Sequence, residues 1–311
     1  MKAVRYHEYG DSDVMRYEDA ERSRPMAGQA LIKVAATTFN AVDVAIRAGN
    51  LQQVFPVRFP HTPGIDVAGT VAALGEGVAG LGIGDAVIGF LPMNENGAAA
   101  EFVVAPANIL TAAPRAVPLA TAAALPAVAL TAWQALFEHA NLQAGQRVLI
   151  NGAGGGVGGF AVQFAKQAGA FVIATASPRS ADAVRSHGAD QIIDYTTTTL
   201  TDAIEEPVAV VLNLVRAPEQ EMAGLVGLVA PGGVLVTTTS PAQDDPARKV
   251  RAISMNVRSD ADQLATIVTK VDAGELQIDI SDTYPLSDIA QVHEKGAAGK
   301  LRGKVLLVPT P

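Results

Sequence analysis

The chain has 311 residues, 31 acidic against 23 basic side chains, a net charge of -8 and no cysteine. The acidic balance, with no block of Lys or Arg, argues against a nucleic-acid or anionic-membrane surface; the missing cysteine excludes disulfides, thiolate catalysis and cysteine-held zinc. With 49% hydrophobic residues the chain can bury a substantial core, and its length suggests two domains.

The N-terminus, MKAVRYHEYG, lacks the apolar centre of a signal peptide, so a soluble cytoplasmic protein is expected. Up to about residue 110 the pattern is one of short β runs cut by Gly and Pro. Ala30 to Asn40 and Asp66 to Gly75 are two of them, and "GDAVIGF" and "AEFVVAP" follow. Leu119 to Leu136 is apolar and alanine-rich but interrupted by Thr121, Pro126, Thr131 and Gln134, which fits a buried helix better than a membrane span. From Val148 the rhythm changes. Strands at Val148 to Asn151, Phe171 to Thr175, Ile192 to Ile193, Val208 to Leu212 and Val234 to Thr238 alternate with helical stretches at Gly156 to Ala168 and Ser180 to His187. The last of these strands follows a turn at Pro231-Gly232-Gly233. Such alternation predicts a parallel sheet covered by helices. The tail adds a helix near Ala261 to Ala273 and a closing strand, "KVLLVP".

"INGAGGGVGGF" sits where the first strand of that series meets its helix. A sharp strand-to-helix turn leaves the first N–H groups of the helix free to face a pyrophosphate, and a Cβ there would hold the phosphates away. Two registers of the dinucleotide fingerprint are possible: Gly154, Gly156, Gly159, or Ala153, Gly155, Gly158. The competing explanation is a helix start whose glycines serve close packing. At the end of the second strand an NAD site usually carries an acid for the ribose hydroxyls. Here the residues are Thr175, Ala176 and Ser177, and no acid precedes Asp182. Ser177 and the guanidinium of Arg179 suit a 2′-phosphate. At roughly 1.5–3 kcal/mol for each charge-assisted bond, two would favour NADPH over NADH by about two to four powers of ten. Ser177 also reads as a helix cap beside Pro178, and Arg179 as a solvated turn residue.

The longer stretch "GQRVLINGAGGGVGGFAVQFAK" resembles the fingerprint of the zinc-independent quinone oxidoreductases of the medium-chain dehydrogenase/reductase superfamily. The match runs through Gly145, Gln146, Leu149, Ala153, Gly154, Gly155, Gly156, Gly158, Gln163 and Lys166, and it favours the register Ala153, Gly155, Gly158. "FNAVDVAIRAG", "PGIDVAGTVAALGEGV", "PAVALTAWQAL" and "GKLRGKVLLV" extend the resemblance over nearly the whole chain. It implies an α/β fold: a Rossmann doubly wound parallel sheet at residues 123–261 and a GroES-like β-rich catalytic domain at 1–122 completed by 262–311. NADPH would lie in the cleft between them, and the protein would be a homodimer.

The implied cofactor contacts are Ala153, Gly154, Gly155, Gly156, Val157 and Gly158 at the turn, with Ser177 and Arg179. Tyr195 is the family's aromatic contact near the adenosine phosphate, or a plain edge-packing tyrosine. Lys304 is a further contact. Asn40 and Thr131 are read as positioning the nicotinamide or the substrate; Asn40 also reads as a residue that ties down its loop. Asp66 is read as orienting local backbone or Arg47, not as a base.

No metal is expected. Zinc alcohol dehydrogenases of this superfamily carry Cys, His and Cys at the places of Asn40, Ile65 and Ala127, none of which is a normal zinc ligand. Without a Lewis acid, an acceptor that spreads the incoming charge over a conjugated system is favoured, so a quinone or an α,β-unsaturated carbonyl is the expected substrate. Two features depart from the family pattern: Ala45 stands where a tyrosine is common, and Asn213 where an acid is common. Both leave open a reductase of another activated alkene, such as a haloacrylate. A non-catalytic NADPH-binding regulatory protein is the alternative from another class.

Overall fold

The computed structural model describes residues 1–309, which form two compact units. The first comprises Met1–Ala127 and the chain from Ser259 onward; the second is Val128–Arg258. The chain opens with an antiparallel pair, β1 (Lys2–Arg5) and β2 (Arg16–Asp19). Then come β3 (Gln29–Thr38), α1 (Ala41–Arg47), β4 (Asp66–Leu74), β5 (Ala86–Phe90), β6 (Phe102–Pro106), β7 (Leu110–Ala112) and the one-turn α2 (Leu119–Ala122). Helix α3 (Pro126–Trp133) carries the chain into the second unit. There follow β8 (Arg147–Asn151), α4 (Gly156–Gln167), β9 (Phe171–Ala176), α5 (Ala181–Ser186), β10 (Gln191–Asp194), α6 (Leu200–Ala203), β11 (Val208–Asn213), α7 (Glu219–Gly227), β12 (Val229–Thr237) and β13 (Arg251–Ser254). The return to the first unit brings α8 (Ala261–Asp272), β14 (Ile280–Pro285), α9 (Ile289–Ala297) and β15 (Lys304–Val308).

The first unit is organised around β3. It pairs antiparallel with β4 along most of its length, with β6 over its first half, and with β15 at its end through Leu306 opposite Thr38. The sheet order is β14-β15-β3-β4-β5-β7, with β6 beside β3. Ile32, Val67 and Val87 are wholly buried in one core cluster, and Tyr6, Leu286 and Val292 lie in another. The last strand therefore lies next to Thr38, and this register brings Lys304 to the start of α1.

In the second unit all six strands run parallel, in the order β10-β9-β8-β11-β12-β13. This is the Rossmann order, with its reversal between β8 and β11. Strands covered on both faces read as unbroken apolar runs, as "VLI" in β8 and "VVL" in β11 do. Leu149, Ile173, Val211 and Leu235 make up the centre of that core and are wholly buried. Helix α4 buries Phe164, which packs edge-on against Trp133 at 5.4 Å; burial of such a ring stabilises by about 1.5–3 kcal/mol.

Three local expectations change. Pro231-Gly232-Gly233 does not precede β12 but bulges within it: the partner of Val208 is Val229 and that of Val210 is already Val234. The apolar run from Leu119 is not one helix. Pro126, which lacks an N–H and fits the first turn of a helix, starts α3 afresh, and Gln134–His139 then widens into a π-helix. Helices α1, α6, α7 and α9, all short, are not among those the periodicity predicts. No helix among the described residues is long and apolar enough to cross a membrane.

Gly158 is needed for packing. A Cβ there would lie 2.4 Å from the carbonyl oxygen of Gly152 and 2.5 Å from Ala153 Cα, both backbone atoms. Gly158→Ala is expected to destabilise the protein by about 1–3 kcal/mol despite alanine's better helix propensity, read as a lower melting temperature.

Candidate functional site

The turn between β8 and α4 uses its glycines for different reasons. Gly152 leaves the strand at φ +96°, a left-handed conformation, and its α-carbon faces Val215. Gly154 abuts Ser180, whose Oγ would lie 2.4 Å from a Cβ. Gly155 is unlike these. It is exposed and stands at the N-cap of α4 with an ordinary φ of -90°. A Cβ there would make only a 3.5 Å contact with the Gly152 oxygen. Neither strain nor internal crowding calls for glycine at 155. The open backbone there leaves room for a group such as a diphosphate, and Gly156 and Val157 begin a helix whose first N–H groups lack partners within it and could face one. The turn Ala153–Gly158 thus fits the phosphate bridge of a dinucleotide.

Beyond β9 no acid occurs before Asp182, which pairs with Arg185 at 2.7 Å. Ser177 is half-buried and Arg179 exposed. Ser177 is not the helix cap: its backbone oxygen accepts from Ser180 N and Ala181 N at 2.9 and 3.0 Å, and Ser180 holds the N-cap position of α5. Tyr195 follows β10 and is 58% exposed. Thr131 is buried in α3.

Four strands carry the like runs "VLIN", "VIAT", "VVLN" and "VLVT", which close at Asn151, Asn213 and Thr237, the last residues of β8, β11 and β12, and at Thr175, the last but one of β9. The register sets Asn151 opposite Asn213 and Asn213 opposite Thr237, while Ile150 opposite Ala174 brings Thr175 alongside. A polar row therefore crosses the carboxyl edge of the sheet, where ligands bind in open α/β folds. The repeated ending was visible in the sequence; its alignment was not. Asn213 is wholly buried, and its amide donates to Val215 O at 2.8 Å, a bond that an acid at this place could not make.

In the first unit the N-cap residue of α1, Asn40, does not cap the helix, although asparagine favours that role. Its Nδ2 donates to Asp66 Oδ2 at 2.9 Å, and its Oδ1 accepts from Lys304 Nζ at 2.9 Å. Lys304 also donates to Asp66 Oδ2 at 3.1 Å and to Phe39 O at 3.2 Å, so its three protons all go to protein oxygens. Asp66 accepts further from the Thr38 hydroxyl and, through Oδ1, from Ala127 N at 2.7 Å. Asp66 and Lys304 are 0% and 4% exposed, a fully desolvated ion pair. Arg47 is not a partner of Asp66. It donates to Gly10 O at 3.1 Å and lies 3.0 Å from His293 Nδ1.

Asp43, one turn along α1, accepts from Gly64 N at 3.2 Å. Burial pushes its carboxyl up to about 7, against the pull of the Gly64 bond. Burial lowers His61 to about 4 and, with Arg47 adding to it, His293 to about 3. Burial, and then Asp43, raise the Tyr6 phenol above its ordinary value. No group of three or more His, Cys, Asp or Glu able to hold a metal occurs among the described residues.

Two family models match: an alcohol dehydrogenase GroES-like domain over residues 26–115 and a zinc-binding dehydrogenase domain over 187–307. A chloroplast envelope quinone oxidoreductase homolog of Arabidopsis thaliana is 31% identical over 99% of this chain and 98% of its own. A chloroplastic quinone-oxidoreductase homolog of Spinacia oleracea is 40% identical over 63% of this chain and 62% of its own. The quinone oxidoreductase of Coxiella burnetii superposes with a TM-score of 0.90 at 29% identity, covering 100% of this chain and 99% of that one. A mycobacterial protein complexed with NADPH does so with 0.88 at 27%, covering 99% of this chain and 100% of that one. A GroES-like unit and a Rossmann unit in one chain define an oxidoreductase of the medium-chain dehydrogenase/reductase superfamily. Within it the chain belongs to the zinc-independent quinone oxidoreductase branch.

The Asp43 shift has a sign that can be measured. The folded protein holds this proton up to about pH 7, whereas the unfolded chain releases it near 3.8, so Asp43 makes stability fall as pH rises across that window. His61 and His293 act oppositely, because their protons bind the unfolded chain first as pH falls below 6.5. Asp43→Asn keeps an acceptor for Gly64 and is expected to raise stability at pH 8 relative to pH 4 by on the order of 2–4 kcal/mol. Denaturant titrations of both proteins at the two pH values check this.

Proposed function

We propose that this protein reduces a quinone or an α,β-unsaturated carbonyl with NADPH. The observation that carries the reading is the open backbone at Gly155, a glycine the chain's own packing does not require. When bound, a reduced nicotinamide supplies the hydride. Gly154, Gly155 and the first turn of α4 hold the diphosphate, while Ser177 and Arg179 hold the 2′-phosphate. Tyr195 lies against the adenosine end. Asn40 and Thr131 orient the nicotinamide or the acceptor. Lys304 acts through Asn40: with its three protons committed, it fixes the amide, with Asp66 on the other side, so that the side chain cannot flip. Asn40, Ile65 and Ala127 offer no zinc ligand set, so the acceptor must delocalise the incoming charge itself. The names and the bound nucleotide of the relatives support the same chemistry.

Two measurements test this. Calorimetry with NADPH and NADH, followed by turnover with a panel of quinones and enones, is expected to show NADPH bound at least tenfold more tightly and oxidised by conjugated acceptors only. Failure to bind either nucleotide ends the proposal; binding without turnover on any acceptor leaves the regulatory reading in its place. Gly155→Ala is expected to leave the melting temperature unchanged and to weaken nucleotide binding tenfold or more. Arg179→Asp is expected to narrow or reverse the NADPH preference, and an unchanged ratio removes Arg179 from the phosphate site.

A further inference from the structure

Asn151 and Asn213 stand on β8 and β11, the two strands between which the sheet order reverses. Their amides are joined: Asn151 Nδ2 donates to Asn213 Oδ1 at 2.9 Å. Asn151 Oδ1 in turn accepts from the hydroxyl of Thr175 at 3.0 Å, and the same hydroxyl accepts from Gly152 N at 2.8 Å. Thr175 is 1% exposed. Donation therefore runs one way, from Gly152 through Thr175 to Asn151, and again from Asn151 through Asn213 to Val215 O. A hydroxyl has one proton and an amide one oxygen, so no member can reverse without leaving a neighbour unsatisfied. The two ends of this chain also meet directly, since Val215 Cγ1 lies 2.9 Å from where a Cβ of Gly152 would be.

We infer that Thr175 and the Asn151–Asn213 amide pair are positioning residues for the cofactor's diphosphate. Gly152 is the first residue of the glycine turn and carries its left-handed φ. Holding its N–H from behind fixes where the turn stands and hence where the open backbone of Gly155 is presented. The amide pair ties that turn to the segment after β11, so the phosphate cradle and the rim of the reversal point form one hydrogen-bonded body. None of these side chains need touch the nucleotide. The inference rests on the nucleotide-binding reading above.

The test compares wild type with Thr175→Val, which removes the hydroxyl at equal size, and Thr175→Ser, which keeps it. Ligands are the better-bound of NADPH and NADH, and adenosine 2′-monophosphate, which carries no diphosphate. Thr175→Val is expected to weaken the dinucleotide at least tenfold and the monophosphate less than twofold, with KM for the dinucleotide rising while kcat holds. Thr175→Ser is expected to return the dinucleotide to within threefold. Hydrogen exchange at the Gly152 amide is expected to quicken in the valine variant and not in the serine one. Equal dinucleotide affinity in wild type and Thr175→Val overturns the inference while leaving the nucleotide reading intact, and so does a proportional loss of both ligands. No dinucleotide binding by wild type overturns both. If the valine variant does not fold, Asn213→Asp serves instead. It keeps the acceptor for Asn151 but loses the donor to Val215, and it is expected to show the same selective loss; unchanged affinity there overturns the inference.

Discussion

The buried pair of Asp66 and Lys304 is the contact on which the first unit depends. It gathers the end of β3, the start of α1, the start of β4, the residue before the second unit and the first residue of β15 onto one carboxylate. An ion pair taken wholly out of water stabilises little by itself, but breaking it by removing one partner typically costs 3–5 kcal/mol, because the other charge is then stranded. Here the remaining valences are filled by Thr38, Asn40, Phe39 and Ala127, which is what makes so dry a pair tolerable. The orientation of Asn40 is a by-product of that solution.

The second unit solves a different problem with the same means. Four of its strands, β8, β9, β11 and β12, carry apolar runs that give way to a polar residue at a shared register, so that the core ends and a polar edge begins within one residue. Asn213, which departs from the family's usual acid, is explained by this edge: an amide both accepts from Asn151 and donates to Val215, whereas a carboxylate only accepts. The departure concerns the internal bonding of the sheet as much as the substrate.

Much of this was readable from residue order. The glycine spacing located the turn, and alternation of strand and helix located the parallel sheet, because both are local patterns. The bulge at Pro231-Gly232-Gly233 was not, since a turn signal inside a strand looks the same as one before it until the partner strand supplies the register. Helix α1 was hidden because it spans seven residues, too few to display a period, and its N-cap residue has its side chain engaged elsewhere. The meeting of Asn40, Asp66 and Lys304 joins positions up to 264 apart in the chain, and no pattern of composition or spacing encodes that. The glycines illustrate both sides: the sequence shows six between positions 152 and 159, and only geometry separates Gly158, held by packing, from Gly155, left open.

The division of the first unit into two chain segments sets an order of events during synthesis. Asp66 leaves the ribosome long before Lys304, and everything between residues 128 and 258 is made in the interval. The nucleotide-type sheet is a continuous segment and has all its strands before the ammonium that neutralises Asp66 exists; domains generally fold as units during translation. The nascent protein therefore acquires its cofactor-type scaffold first and its electrically balanced partner unit last, with the closing strand acting as the final stitch.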